Sequence, residues 1–495
     1  MSIIKCLLEY VKTNNLTTYS IIVLAVLSLL KYLPFPKTRL PKYTIHLIVL
    51  LGLCLRLFWI GFSSHTPQMA RNPHHMLESD LSNVYAIDLT EGKWFLNDDG
   101  TPSGHRPIGY PLVLGLCYKM FGVNRMVAYS LNIALFVFTA YLVYYMAQAI
   151  FSRRIALLAT LLFSIYPVSV YSVVLNTDEH LFLPLWYLGL FFLFREIEGK
   201  PLRFKLLWYG LLFGYATMTR THSIFMPFVI GFAYFLLKYP LKKIAAGVLG
   251  VLLIMQLINL PWVIRNYKAW GVPVLYTATA LYVYSQLNSS ATAEGSGGHI
   301  PSKGELGYSE DLAKAMEEKN EGLQHTLANR EMKKWIIKHP AEFLNLGVCR
   351  VLVFMGWNRK GVWPIWFQYY DGSYDPKRPL PQAVRDILEE LAFAAYYLVV
   401  FSFIFSIFML IRRRKKLSAT TKTLLLVLGS CFIFWFAEHM VIYPDRKYRF
   451  PIEPLMIIVG AYFLDYIIFT FRWEVLKRSN IRKIFISLQN MRSGR

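Results

Sequence analysis

Charged residues are scarce in this chain, acids most of all: Asp and Glu number 30 against 53 Lys and Arg, and charged residues make up 17% of the 495 positions. A soluble globular domain carries about 25% charge, and with 55% hydrophobic residues that class is excluded. Cysteine is nearly as sparse. Cys6, Cys54, Cys117, Cys349 and Cys431 have no metal-ligand spacing and sit in or beside apolar runs, so neither a zinc module nor a disulfide framework is expected. No helical i, i+4 histidine pair is present to hold a metal, since His74 and His75 are adjacent.

Long apolar runs are what the chain does have. A membrane helix needs about 17 to 25 apolar residues, and such runs lie at 17–34, 43–62, 126–151, 155–175, 180–194, 204–219, 223–238, 243–264, 391–411, 421–443 and 450–471. The reading is an all-α polytopic bundle of about eleven to thirteen transmembrane helices with a small outer-face cap. The run from Leu16 has few basic residues before it and no small-residue cleavage pattern, so it reads as a retained span.

Cytoplasmic loops retain Lys and Arg during insertion. The segments 37–42, Arg153-Arg154, 200–205, 238–243, 412–416 and the tail after Arg472 alternate onto one face, which is assigned as cytoplasmic. Facing anionic headgroups, these loops explain much of the net charge of +23 without nucleic acid.

The organisation expected is 1–62 as N-terminal spans, 63–125 as a first outer loop, 126–264 as a central bundle, 265–390 as an outer cap, 391–472 as C-terminal spans and 473–495 as a basic tail. Residues 80–92 read as a short amphipathic helix closed by Gly92. The stretches 112–121 and 343–357 are read as interfacial or re-entrant.

Once the runs are threaded, the strongly polar clusters fall on the face opposite the basic loops. They comprise Glu78 and Asp80, Asp178 with Glu179, Arg220 with His222, Arg265 with Asn266 and Tyr267, and Arg446 to Arg449 around His439. Each has a bland reading beside the functional one. An aspartate at a helix start is often an N-cap, acids in a tight loop are commonly solvated, an arginine ending an apolar run snorkels to the headgroups, and a lone histidine at a span end is usually a hydrogen-bonded interface residue.

Taken in order, Asp80 with the helix to Gly92, Arg106-Pro107-Ile108-Gly109-Tyr110-Pro111, Thr177-Asp178-Glu179, Gly210 to Arg220, Pro261 to Tyr267 and Arg446 to Pro454 resemble the C-type glycosyltransferase superfamily. The chain is similar to the glycosyltransferase family 39 or dolichyl-phosphate-mannose-protein mannosyltransferase-like group, itself akin to the lipid A aminoarabinose transferase. The resemblance runs over roughly 43–470. Where that family often pairs two acids in its first loop, this chain has Glu78-Ser79-Asp80, which leaves open which acid acts.

The resemblance implies a membrane enzyme of the bacterial inner membrane. It would move a sugar from an undecaprenyl- or dolichyl-phosphate donor to a hydroxyl of a glycolipid, polysaccharide or protein on the extracytoplasmic face. A phosphate leaving group is already anionic and needs neutralising cations rather than a general acid, while the acceptor hydroxyl must lose a proton. Asp80 or Glu78 is then the general base of an inverting displacement, and Arg265, Arg220, Arg449, Lys447 and Arg106 are the phosphate ligands. Asp178, Glu179, His222, Asn266, Tyr267, Tyr110 and His439 are substrate contacts or, for the acids, bridges to a divalent ion such as Mg²⁺ or Mn²⁺. No tightly bound metal is expected to be obligatory. A Gly- and Ser-rich stretch within 275–310 is expected to order over the donor as a lid. The rival class is a lipid or sugar transporter or flippase, which would place polar residues at mid-span and repeat one half in the other; Arg56 is the main mid-span charge and no repeat is visible.

Overall fold

The structure is a computed structural model that describes residues 41–64, 81–97, 99–280, 303–304, 308, 310–317, 320–356, 382–442 and 446–471. Glu78 and Asp80, most of the expected lid, the first apolar run and the basic tail lie outside the described residues.

The described chain is helical, and its sole extended pairing is one bridge between Leu96 and Pro102. Among the described residues, six helices are long and apolar enough to cross a membrane. They are α1 (Thr44–Ser64), α4 (Arg125–Ile150), α7 (Glu179–Ile197), α10 (Leu241–Trp270), α14 (Gln382–Arg412) and α15 (Ala419–His439). Between them lie α2 (Leu81–Thr90), α3 (Gly109–Phe121), α5 (Arg153–Ile165), α6 (Pro167–Tyr171), α8 (Lys205–Thr219) and α9 (Met226–Leu236). The remainder are α11 (Glu310–Glu317), α12 (Glu321–Lys338), α13 (Pro340–Met355) and α16 (Glu453–Asp465). The protein is an integral membrane protein with an all-α fold.

Local chemistry sets the breaks. Asn124 accepts a hydrogen bond from Met126 N (2.8 Å) to cap α4, Asn320 does the same for Leu323 N (3.0 Å) at α12, and Ser418 for Thr421 N (3.0 Å) at α15. The run 155–175 is not one straight span. It bends by 51° because Pro167 has no N–H to give and holds Tyr166 in an extended conformation (φ −62°, ψ 118°). Gly92, at φ 79°, follows α2 in the left-handed region as the sequence reading expects. α10 runs six residues past position 264, so Arg265 and Asn266 stand on its last turns rather than in a loop.

Of the described cysteines, Cys54, Cys117 and Cys431 are free, while Cys349 is disulfide-bonded.

Two smaller buried clusters form around Tyr110 and around Tyr85 with Trp262, and the largest among the described residues draws on α1, α4 to α10 and α13 to α16. Within it Arg56 is fully buried, with its guanidinium donating to Gly52 O (2.9 Å), Ser164 O (2.9 Å) and Ser169 Oγ (2.6 Å) over the Phe136 ring. This mid-span charge is therefore a helix tie, which joins α1 to the Ser164 carbonyl and the Ser169 hydroxyl on either side of the Pro167 bend.

The basic connections gather at one end of the helices. Arg153 donates to Pro41 O (2.6 Å), Arg154 forms a two-point ion pair with Asp465 (2.5 and 2.8 Å), and Arg413 reaches Tyr462 Oη (3.3 Å). The described acids and cations singled out above, Asp178, Glu179 and Arg220 among them, lie at the other end.

Candidate active site

At that other end, the N-terminus of α7, the C-terminus of α8 and the start of α2 converge. Asp178 precedes α7 but makes no cap hydrogen bond with its side chain. Instead its Oδ1 accepts from Ser82 Oγ on α2 (3.0 Å), and the residue is 5% exposed. Burial pushes its carboxyl up to about 6; Arg220 and Arg106 pull it down, and the neighbouring Glu179 adds to the rise. Glu179 is wholly buried and ion-paired with Arg220, whose guanidinium also lies 4.9 Å from the Tyr448 ring centroid.

Gly109 shows why the Arg106–Pro111 turn takes the residues it does. A Cβ at Gly109 would come within 2.5 Å of Thr219 and 2.8 Å of the Met218 carbonyl, so only glycine lets α3 sit against the end of α8, one residue before Arg220. Next to it, Tyr110 is buried and donates to Asn132 Oδ1 (2.9 Å), and Asn132 in turn donates to Val173 O and Leu175 O (2.9 and 3.0 Å). Tyr110 thereby fixes the chain just before Asp178.

A second layer lies behind Arg220. His222 Nδ1 is 2.7 Å from Glu438 Oε1, and its ring lies 4.4 Å from Trp435 and 5.4 Å from His439. His439 donates through Nδ1 to Trp435 O (2.8 Å), which fixes its tautomer because a carbonyl can only accept. Tyr448 is within 6.1 Å of both imidazoles and is flanked in sequence by Lys447 and Arg449. Arg449 is buried, with Nε on Glu453 (2.8 Å) and Nη1 on Phe354 O (2.7 Å) and Gly356 O (2.9 Å), over the Tyr396 ring. Its guanidinium holds the end of α13 to the start of α16.

Arg265 belongs to a separate station. It donates to Ser103 O (2.9 Å), Trp94 O (3.1 Å) and Phe95 O (2.7 Å), and Asn266 donates to Val274 O (2.9 Å). Glu321 at the start of α12 completes it, accepting from Gly104 N (2.7 Å), Asn97 Nδ2 (2.9 Å) and Ser103 Oγ (3.3 Å). Tyr267 is 57% exposed on the outside of α10.

Thus the structure brings Arg106, Asp178, Glu179, Arg220, His222, His439 and the 447–449 turn to one place, and sets Arg265 beside it as a support of the 94–104 segment, with Asn266 holding Arg265 and Val274. Ser82, Glu321, Glu438 and Glu453 join these stations without having been singled out from sequence. Glu438 was marked by being an acid next to His439 at the end of an apolar run. Among the described residues, no set of three or more His, Cys, Asp or Glu side chains is arranged to hold a metal ion. Asp178 and Glu179 alone would supply two carboxylates, with phosphate and water left to complete the shell of a Mg²⁺ or Mn²⁺.

Fold and cluster together define an all-α membrane protein with a buried charged site at one end of its helices. Residues 105–264, which contain Arg106, Tyr110, Asp178, Glu179, Arg220 and His222, match the family model described as dolichyl-phosphate-mannose-protein mannosyltransferase. No curated protein matches the chain. Among solved structures, the archaeal oligosaccharyltransferase AglB from Archaeoglobus fulgidus, in complex with an inhibitory peptide and a dolichol-phosphate, is similar at 14% identity and a TM-score of 0.49. That match covers 91% of this chain but 54% of AglB, so the chain spans about half of AglB's length. ArnT from Cupriavidus metallidurans, bound to undecaprenyl phosphate, is similar at 12% identity and a TM-score of 0.40, over 86% of this chain and 78% of that one.

Proposed function

We propose that the chain is a membrane glycosyltransferase that moves a sugar from a polyprenyl-phosphate donor to an acceptor hydroxyl by one inverting displacement. The observation that carries this reading is the joining of Arg106, Asp178, Glu179 and Arg220 at one end of the bundle, within the segment that matches the mannosyltransferase model.

In that cluster Glu179 holds Arg220 in place, and Arg220 with Arg106 offers guanidinium donors to the donor phosphate as negative charge builds on it. Arg265 and Arg449, bound to backbone carbonyls, act by positioning the 94–104 segment and the 447–449 turn, and Lys447 adds a cation on that turn. Asp80 or Glu78, just ahead of Ser82, takes the acceptor proton as its oxygen attacks the anomeric carbon. The bond to the phosphate oxygen breaks with its electron pair, and lipid phosphate leaves. Arg56 being tied to three oxygens weighs against a mid-span transport site.

The test is release of free polyprenyl phosphate from a panel of synthetic polyprenyl-phosphate sugars with a crude acceptor extract, comparing the parent, Asp80→Asn, Glu78→Gln and Arg220→Ala, with and without EDTA. Release by the parent, a loss of roughly 10²-fold or more in one acid variant and in Arg220→Ala, and indifference to EDTA are expected. Absence of release by the parent overturns the enzyme reading, and equal release by both acid variants overturns the assignment of the base.

A further inference from the structure

A cavity of about 640 Å³ opens at the end of the helices opposite the candidate site, and the reaction above does not use it. It is a wedge between α14 and α15, which the Arg414–Lys416 turn joins at the mouth. On α14 the lining positions Phe403, Ile407 and Leu410 recur at helical spacing and form one stripe that runs towards Arg414 in the turn. On α15 the stripe is Lys422, Leu425, Gly429 and Phe432. The rings of Phe403 and Phe432, with centroids 4.8 Å apart, close the deep end. From Phe403 to the end of α14 at Arg412 is a rise of roughly 14 Å at 1.5 Å per residue, which is close to half of a bilayer's hydrocarbon thickness.

The lining is apolar apart from its mouth, where Arg414, Lys415 and Lys422 stand and no acid lines the wall. The neighbouring arginines are engaged elsewhere: Arg412 lies over Phe408, and Arg413 lies over Tyr466 and reaches Tyr462. A Cβ added at Gly429 would meet no atom within 4 Å. The helical glycines of α7, α8 and α10 each face a side chain or backbone atom within 4 Å, while Gly61 on α1, like Gly429, faces none; Gly429 differs from Gly61 in lining the cavity, so its open space belongs to the groove.

We propose that this groove is a binding site for an anionic glycerophospholipid of the adjoining leaflet, with one acyl chain between α14 and α15 and the phosphate on Arg414, Lys415 and Lys422. Length and charge both select this occupant. The groove is as deep as one leaflet's acyl region, and three cations at the mouth match a phosphodiester whose headgroup adds no positive charge. A bound lipid fills the wedge and thereby fixes α14 against α15.

The test uses the full-length protein, delipidated in zwitterionic detergent, with phosphatidylglycerol and phosphatidylcholine binding followed by native mass spectrometry and thermal unfolding. The parent is expected to bind phosphatidylglycerol in preference to phosphatidylcholine and to gain thermal stability from it. Gly429→Leu, which puts its side chain into the gap, is expected to weaken phosphatidylglycerol by about tenfold or more through lost acyl burial while staying folded, since leucine is the better helix former. Replacing Arg414, Lys415 and Lys422 with glutamine, singly and together, should weaken phosphatidylglycerol on the order of fivefold per cation removed and leave phosphatidylcholine unchanged. Equal binding of the two lipids by the parent, unchanged binding in Gly429→Leu, or inorganic phosphate stabilising the parent as well as the lipid does would each overturn the proposal.

Discussion

Asp178 is an acid whose charge the fold disfavours, and that gives it a measurable signature. Its carboxyl is pushed up to about 6, chiefly by burial, with Arg220 and Arg106 opposing. An acid with a raised value keeps its proton in the folded state over a range where the unfolded chain has released it. Its contribution to stability is therefore fully present below about pH 4, declines as pH rises towards about 6, and is constant above that. The shift corresponds to about 3 kcal/mol. Subtracting the melting profile of Asp178→Asn, which cannot ionise, from that of the parent should isolate this decline in detergent-solubilised protein. A flat difference between pH 4 and 6 would show that Asp178 does not sit in the buried setting described.

Elements are held to one another at this end by single side chains that gather several backbone groups. Glu321 satisfies Gly104 N as well as Asn97 and Ser103, while Arg265 takes the Trp94, Phe95 and Ser103 carbonyls. One residue from α12 and one from α10 thus clamp the 94–104 segment from two sides, and that segment leads directly to Arg106. Glu321→Ala leaves a backbone N–H without its acceptor and should cost about 1 to 3 kcal/mol. The loss should appear first as faster amide exchange at residues 95–104, and Glu321→Ala with Arg265→Ala should cost less than the sum of the two. Exchange raised uniformly along the chain would instead mark a global defect. The clamp explains what sequence could not reveal: Arg265 was recognisable as a cation ending an apolar run, but its carbonyl partners lie more than 160 positions away in the chain. Apolar length and the glycine after α2 depend on neighbours in sequence and were legible there, whereas the break at Pro167 fell inside a stretch read as one run. Pairings such as Glu179 with Arg220, or His222 with Glu438, depend on how helices distant in sequence meet.

The whole molecule separates charge by end. Arg153, Arg154, Lys205 and Arg413 anchor one end through Pro41, Asp465, Glu196 and Tyr462; the buried cluster of Asp178, Glu179 and Arg220 occupies the other. Sequence exposed this polarity because insertion acts on short loops, whose Lys and Arg content is local information. A donor with a lipid tail and a phosphate at the membrane surface needs the acids and cations on a single face, whereas a transporter must present its site to both faces in turn. Orientation is thus the property on which both the enzyme reading and the lipid groove depend, and it can be measured directly. In a background with the native cysteines replaced by alanine, single cysteines at Trp94 and Lys338, both exposed beside the candidate site, should react with an impermeant maleimide added outside intact cells. Cysteines at Lys200 and Lys415, exposed at the basic end, should react only after the membrane is opened. The reverse pattern would move the site to the cytoplasm and the groove to the outer leaflet, and labelling of all four from outside would contradict the separation of the two ends across the membrane.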